Sequence, residues 1–175
     1  MSSKRKISVL GAGGWGTALA IMAQNYGNSV LLWSPFEEEI ANIRRFGENK
    51  KLLPGVPVPP GIELTTEISD TADSDLVIMA VPSFAIKSTA EKLAPVLKKG
   101  TLVANAGKGL EQGTHRRFSQ VISEALPEAR VVALSGPSHA EEVARGVPTS
   151  IISASEDVEA AEMVQDILMN PNFRI

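Results

Sequence analysis

The chain contains no cysteine. Disulfides, thiol nucleophiles and thiolate metal sites are therefore excluded. Histidine is almost as scarce: only His115 and His139 are present, too far apart for a paired-histidine spacing, and no metal ligand is assigned. Aromatic residues make up 5% of the chain, so any core must be built from Ala, Val, Ile and Leu. There is no basic excess, with 17 Lys and Arg against 20 Asp and Glu, which argues against a nucleic-acid partner. No apolar run approaches the ~20 residues of a membrane span. The start, Met1-Ser-Ser-Lys-Arg-Lys6, runs into the first apolar segment without the apolar core of a signal peptide. The expected location is cytoplasmic.

What is present is ordinary globular composition, 43% hydrophobic and 21% charged. The 175 residues suffice for one well-packed domain and are few for two, so residues 1–175 read as a single domain. Apolar β-type runs alternate with helical patterns from end to end. The pattern predicts an α/β fold, a Rossmann-like, doubly wound, mostly parallel sheet with helices on both faces. Strands are expected near 6–10, 29–33, 62–65, 75–80, 101–105, 130–134, 148–153 and 172–175. Helices are expected near 14–26, 36–46, 83–97, 115–126, 138–145 and 157–168. Continuous runs such as Leu76-Val-Ile-Met-Ala-Val81 suit strands buried on both faces. Pro82 ends that run, and Ser83 is placed to cap the next helix. Leu53-Pro-Gly-Val-Pro-Val-Pro-Pro-Gly61 is a proline-rich connection that admits neither helix nor central strand. The chain's end at Asn170-Pro-Asn-Phe-Arg-Ile175, inside a strand-like pattern, leads us to expect one part of a longer protein.

The most informative stretch follows the first strand. Ile7 to Leu10 ends directly in Gly11-x-Gly13-x-x-Gly16, and an apolar stripe at helical spacing follows: Trp15, Ala18, Leu19, Met22, Ala23, Tyr26. Strand, glycine turn and helix in that order form the context of a dinucleotide fingerprint. Gly11 allows the tight turn, Gly13 lets backbone approach a pyrophosphate, and Gly16 lets the helix pack on the strand. The helix N-terminus offers free N–H groups and partial positive charge to phosphate. A glycine-rich turn that binds nothing, or a methyltransferase loop, would carry the same spacing.

Ligands of open α/β sheets bind outside the carboxyl ends of the strands, so the loops from Gly11, Trp33, Val81, Asn105 and Ser135 are the ones to watch. The usual cofactor selector is an acid about 20 residues after the glycines. Here the segment reads Trp33-Ser34-Pro35-Phe36-Glu37, with no acid directly after the strand and no arginine for a 2′-phosphate. Ser34 suits either cofactor, and Glu37 reads as a first-turn helix residue. Lys108, between Gly107 and Gly109, is either a solvated loop lysine or a point charge for phosphate or carbonyl oxygen. Ser135-Gly136-Pro137-Ser138 opens a helix, either as an oxyanion grip or as an ordinary serine cap. His139 is more readily structural than catalytic, and His115 reads as a helix-start residue. Asp70, Asp73 and Asp75 mark a turn.

Several stretches together resemble one family, the bacterial-type NAD(P)-dependent glycerol-3-phosphate dehydrogenases. They are Gly11-Ala-Gly-Gly-Trp-Gly-Thr-Ala-Leu-Ala20, Gly107-Lys-Gly-Leu-Glu111 and Leu134-Ser-Gly-Pro-Ser-His-Ala-Glu-Glu-Val-Ala-Arg-Gly146, with Leu53-Pro54 and Ala80-Val-Pro-Ser83 in the same order. The resemblance implies NAD(H) or NADP(H) as cofactor. It implies dihydroxyacetone phosphate and sn-glycerol 3-phosphate as the small-molecule substrate pair, a role in phospholipid precursor synthesis, and a homodimeric parent. It places Gly11, Gly13, Gly14, Trp15 and Gly16 at the pyrophosphate turn and Ser34 with Pro35 at the adenosine ribose. Pro82, Lys108 and Ala140 fall on the cofactor side, and Lys108, Gly136 and Ser138 on the substrate. The family often has Ser at the position of Gly14, a change expected to be tolerated because backbone does the binding. It often has Arg or His where this chain has Pro35-Phe36, so NADPH preference does not carry over. The family's C-terminal helical domain, with its general acid/base lysine and substrate-phosphate clamp, has no counterpart in residues 1–175. No catalytic residue is therefore assigned within the chain, and little turnover is expected of it alone. Two other readings share the fold: another β-hydroxyacid-type dehydrogenase, and a standalone non-catalytic dinucleotide-binding module.

Overall fold

The structure, a computed structural model, describes residues 4–175. Met1 to Ser3, part of the start read above as lacking a signal core, lie outside them. Five strands run parallel in the centre of the main sheet: β1 (Lys6–Leu10), β2 (Ser29–Trp33), β4 (Leu76–Met79), β5 (Leu102–Asn105) and β6 (Arg130–Ser135). Strand β3 (Glu63–Thr65) extends it in parallel beside β2, and β8 (Ile152–Ala154) closes the other edge antiparallel to β6. The order is β3-β2-β1-β4-β5-β6-β8. The chain leaves β1 toward β2 on one side and returns to β4 on the other, so the switch point falls between β1 and β4.

The alternation of side chains explains why these strands are buried on both faces. Ile7, Val30, Leu76 and Leu102 stand in register across four strands and enter one core, with Val9, Leu32, Ile78 and Ala104 two residues on. The intervening Leu31, Val77 and Val103 enter a second core on the opposite face. The first core is covered by α1 (Gly14–Asn25), α2 (Glu37–Phe46), α5 (Ala140–Ala144) and α6 (Val158–Leu168). The second is covered by α3 (Ile86–Leu93) and α4 (Phe118–Ala125). This is the doubly wound arrangement expected.

Several local expectations are corrected. The run 148–153 is two strands: β7 (Thr149–Ser150) pairs in parallel with β9 (Phe173–Arg174) in a separate ribbon, and β8 joins the main sheet. Ile151, buried between them, donates its backbone N–H to the Arg174 carbonyl and carries the crossing. The helix expected over 83–97 is a single 3₁₀ turn at Ser83–Ala85 followed by α3, which stops two residues before Pro95. Pro82, not Ser83, is the cap residue, and no side chain caps that turn. Helix α4 starts at Phe118 rather than 115, because Leu110 and Arg117 pair across a tight loop in which His115 has φ 56°. His115 is therefore a turn residue, not a helix start. Tyr26 closes α1 as its C-cap and is 43% exposed, while the whole of Gly16–Ala23 is buried. The stripe is narrower than the burial because α5 and the sheet enclose α1 from two sides.

Candidate functional site

The glycine turn between β1 and α1 is shaped by three different steric demands. Gly11 has φ 114°, and a Cβ there would sit 2.8 Å from the Ala80 carbonyl oxygen. Gly16 is closer still: its Cβ would lie 1.9 Å from the Gly11 oxygen, so only glycine lets the helix start so near the strand. Gly13, by contrast, faces open space, with nothing within 4 Å of a Cβ. The first bond of α1 runs from the Thr17 N–H to the Gly13 oxygen, and no side chain caps the helix. The N–H groups of the first turn are thus left for a ligand. An uncapped helix start under an open cradle fits a pyrophosphate.

Gly14 behaves otherwise than expected. A Cβ on it would stand 2.5 Å from the Leu52 carbonyl oxygen, so serine is not tolerated here unless the 49–53 segment moves. That segment is locked to the turn by Asn49, a residue the sequence reading did not single out. Its Nδ2 donates to the Ala12 carbonyl at 2.8 Å and to the Thr17 hydroxyl at 3.0 Å, while Oδ1 accepts the Leu52 N–H at 3.2 Å. No sequence signal marks it, because its two main partners are more than thirty residues away.

The other loops converge on the turn through named contacts. The end of β4 meets it at Ala80, against Gly11 and Gly16. Trp15 donates its indole N–H to the Ala106 carbonyl at 3.1 Å, tying α1 to the loop after β5. Lys108, in that loop, donates to the Ser138 carbonyl at 3.3 Å and so spans to the loop after β6. Its loop is braced by Glu111, which accepts from the Thr114 hydroxyl and from Arg116, whose other nitrogen reaches Glu124 on α4. The Thr114 bond, with Arg116 after it, holds the Glu111 carboxyl below the usual range. Ser138 caps nothing; His139 is the cap residue of α5, without a side-chain bond, and Ala140 begins the helix. Gly136 packs against Ile151, 2.8 Å from a would-be Cβ to its Cα.

On the far side of the turn lies a cleft of about 630 Å³ bounded by Ala12, Pro35, Asn49, Leu52 and the first turn of α2. Pro35 lines it, but Ser34 is only 1% exposed. Its hydroxyl donates to Glu39 at 2.5 Å and accepts the Phe36 N–H at 3.3 Å, so it braces the loop instead of facing a ligand directly. Glu37 starts α2, as the sequence suggested. Pro82 sits at the end of the β4 loop, and Lys108, Gly136 and Ser138 stand outside the cleft on the opposite side of the turn. The three aspartates do mark a turn: Asp70 accepts from Thr65 at 2.6 Å, Asp75 from the Lys6 N–H at 2.8 Å, and Asp73 pairs with Lys98.

Sheet order, switch point and glycine cradle define a dinucleotide-binding domain of the Rossmann type. The N-terminal domain of NAD-dependent glycerol-3-phosphate dehydrogenase matches residues 6–161. Similar full-length proteins include glycerol-3-phosphate dehydrogenases of Moorella thermoacetica, 49% identical over 98% of this chain and 51% of that protein, and of Desulfitobacterium hafniense, 44% identical over 97% and 48%. A crystal structure of glycerol-3-phosphate dehydrogenase from Coxiella burnetii superimposes with a TM-score of 0.91 at 31% identity, over 98% of this chain and 53% of that one. The chain therefore belongs to the family of N-terminal, NAD-binding domains of glycerol-3-phosphate dehydrogenases. It spans about half the length of the curated relatives it matches. Among the described residues, no helix is long and apolar enough to cross a membrane.

Proposed function

We propose that residues 1–175 form the cofactor half of an NAD(P)-dependent glycerol-3-phosphate dehydrogenase, whose reaction is reversible hydride transfer between a nicotinamide and the C2 carbon of a three-carbon phosphate. The observation that carries the reading is the uncapped start of α1 beneath the open face of Gly13, at the switch point between β1 and β4. There the N–H groups of Gly14, Trp15 and Gly16 bind the pyrophosphate, with Gly11 setting the turn. Pro35 lines the adenosine end, while Ser34 acts through Glu39. Pro82 and Ala140 border the nicotinamide side. The bound nicotinamide supplies or accepts the hydride. The Lys108 ammonium, steered by the Ser138 carbonyl, supplies a cation to cofactor and substrate phosphate alike, and Gly136 with Ser138 shapes the substrate side.

Reduction of a ketone also needs a proton donor and a clamp that fixes the reacting carbon. Lys108 alone does not provide both; the family likeness implies that the general base and the phosphate clamp belong to a second, helical half of the parent. The cytoplasmic location, the homodimeric parent and the role in phospholipid precursor supply follow from the family likeness.

The test is calorimetric titration of the purified chain with NADH and NADPH beside Gly13→Asp. A Cβ meets nothing within 4 Å at position 13, and aspartate is a favoured residue at this N-cap, so the variant melts no lower than the wild type. Binding that Gly13→Asp abolishes, together with negligible reductase turnover, is the expected result. Failure of a folded chain to bind either nucleotide sinks the reading, as does turnover at the rate of a full-length dehydrogenase.

A further inference from the structure

We propose that the cleft selects NAD(H) over NADP(H). The Glu39 carboxylate is the acceptor for the adenosine ribose hydroxyls, and the acidic first turn of α2 excludes a 2′-phosphate. This rests on the dinucleotide reading above and goes beyond it, since that reading admits either cofactor.

In NAD sites the acid that holds the ribose 2′-OH stands about 20 residues past the glycines, near the end of the second strand. Glu39 lies at about that distance but one turn into α2, which is why no acid is visible directly after Trp33. The fold brings it back. Ser34, buried at the end of β2, donates its hydroxyl to Glu39 Oε2 at 2.5 Å and holds the half-buried carboxylate against the cleft. Oε1 has no partner among the described residues, so it remains free to accept from a ribose hydroxyl. The serine that looked like an ambiguous selector is thus a positioning residue for the acid.

The charge balance of the cleft points the same way. Glu37, Glu38, Glu39 and Glu48 all line it. The helix start that they occupy contributes about +0.5 of a charge, too little to offset three carboxylates. Four lining carboxylates face two lining cations, Lys51 and Lys50, the latter lying 3.9 Å over the Phe46 ring, while Arg44 stands 4.0 Å from Glu37 at the exposed edge. A 2′-phosphate carries close to two negative charges at neutral pH. It would meet like charge from α2, whereas a 2′-hydroxyl is a donor that meets an acceptor.

Calorimetric titrations of the full chain with NADH and with NADPH test this at about 0.05 M and about 0.5 M salt. The expected result is NADH at least tenfold tighter at low salt, with the gap narrowing at high salt as the carboxylates are screened. Glu39→Gln, which keeps an oxygen for Ser34, loses affinity for NADH, gains it for NADPH and narrows the ratio by about tenfold. Should Glu39→Gln fail to fold, the double variant Glu37→Gln/Glu38→Gln, altered at two exposed positions, moves the ratio in the same direction. Equal or tighter NADPH binding overturns the inference, the more so if Lys51→Ala then reverses the preference. An unchanged ratio in the glutamine variants overturns it too. A folded chain that binds neither nucleotide refutes the dinucleotide reading on which it stands.

Discussion

The side chain of Asn49 donates to the carbonyl oxygen of Ala12 at 2.8 Å, so a residue from the loop after α2 holds the middle of the glycine turn in place. The same amide nitrogen reaches the Thr17 hydroxyl at 3.0 Å, and the group is 93% removed from solvent. Asn49→Ala leaves the Ala12 carbonyl and the Thr17 hydroxyl without their donor at a cost of about 1–3 kcal/mol. For a domain of this size each kcal/mol lowers the melting temperature by roughly 2–4 °C. Dinucleotide affinity falls with it. Asn49→Asp is expected to bind more weakly than Asn49→Ala, because it adds a negative charge beside the pyrophosphate turn and supplies no donor. Thermal melts and titrations of the pair decide this; equal affinities would refute the charge argument.

The glycines of the turn separate into packing and binding roles. Gly14→Ser places a Cβ 2.5 Å from the Leu52 oxygen, and Gly16→Ala places one 1.9 Å from the Gly11 oxygen. Both neighbours are backbone and cannot swing away. Gly14→Ser is expected to cost about 1–3 kcal/mol, and Gly16→Ala to reach or exceed the top of that range. Differential scanning calorimetry on the two variants gives the order directly. A Gly14→Ser protein as stable as the parent would show that the 49–53 segment yields freely.

Lys108 separates binding from stability in the opposite sense. Its side chain is exposed, with one bond to the Ser138 carbonyl at 3.3 Å. Lys108→Ala therefore changes folding stability by less than about 0.5 kcal/mol. It nevertheless weakens nucleotide binding, because the cation over the site is gone, and Lys108→Arg restores only part of the loss, since guanidinium has a different shape. A melting shift of several degrees would instead make Lys108 a structural residue.

Acid stability has an identifiable contributor at the opposite end of the sheet. Asp157 caps α6, accepting the Ala160 N–H at 3.1 Å, and takes two bonds from Arg130 at 2.7 and 2.9 Å. The Arg130 bonds foremost, then the Ala160 bond, hold its carboxyl down to about 2 from an ordinary 3.8. A depressed folded value means stability that is present above the unfolded pKa and lost as pH falls through the folded one. Its contribution is thus whole above about pH 4 and fades toward pH 2. Asp157→Asn removes that part of the slope, leaving a flatter melting-temperature profile between those limits. A slope identical to the parent's would assign acid lability elsewhere.

Much of the fold was legible because its signals are local. Leu76 to Met79 is an uninterrupted apolar run, which in an alternating β/α chain means a strand buried on both faces, and so it is. Gly11, Gly13 and Gly16 are spaced for one turn geometry, and the structure gives each the surroundings that geometry demands. The errors came where tertiary context overrides local preference. The run 148–153 carries no mark of the change of sheet at Ile151, which depends on where Arg174 lies. The start of α4 moved because Leu110 pairs with Arg117, and the sequence around His115 does not announce a left-handed residue. The glycine spacing was readable as a turn, whereas the Asn49–Ala12 and Ser34–Glu39 bonds were not, because they exist only through distant or folded-back partners.

Composition, periodicity and the glycine spacing by themselves determined an α/β domain with a glycine turn between its first strand and first helix, because apolar alternation and steric freedom are properties of neighbouring residues. The tertiary structure alone decided which glycines are needed for packing and which leaves room for a ligand. It also decided that Ser34 serves Glu39, and that Asn49 closes the turn. Those outcomes depend on distances between segments that only the packed sheet brings together.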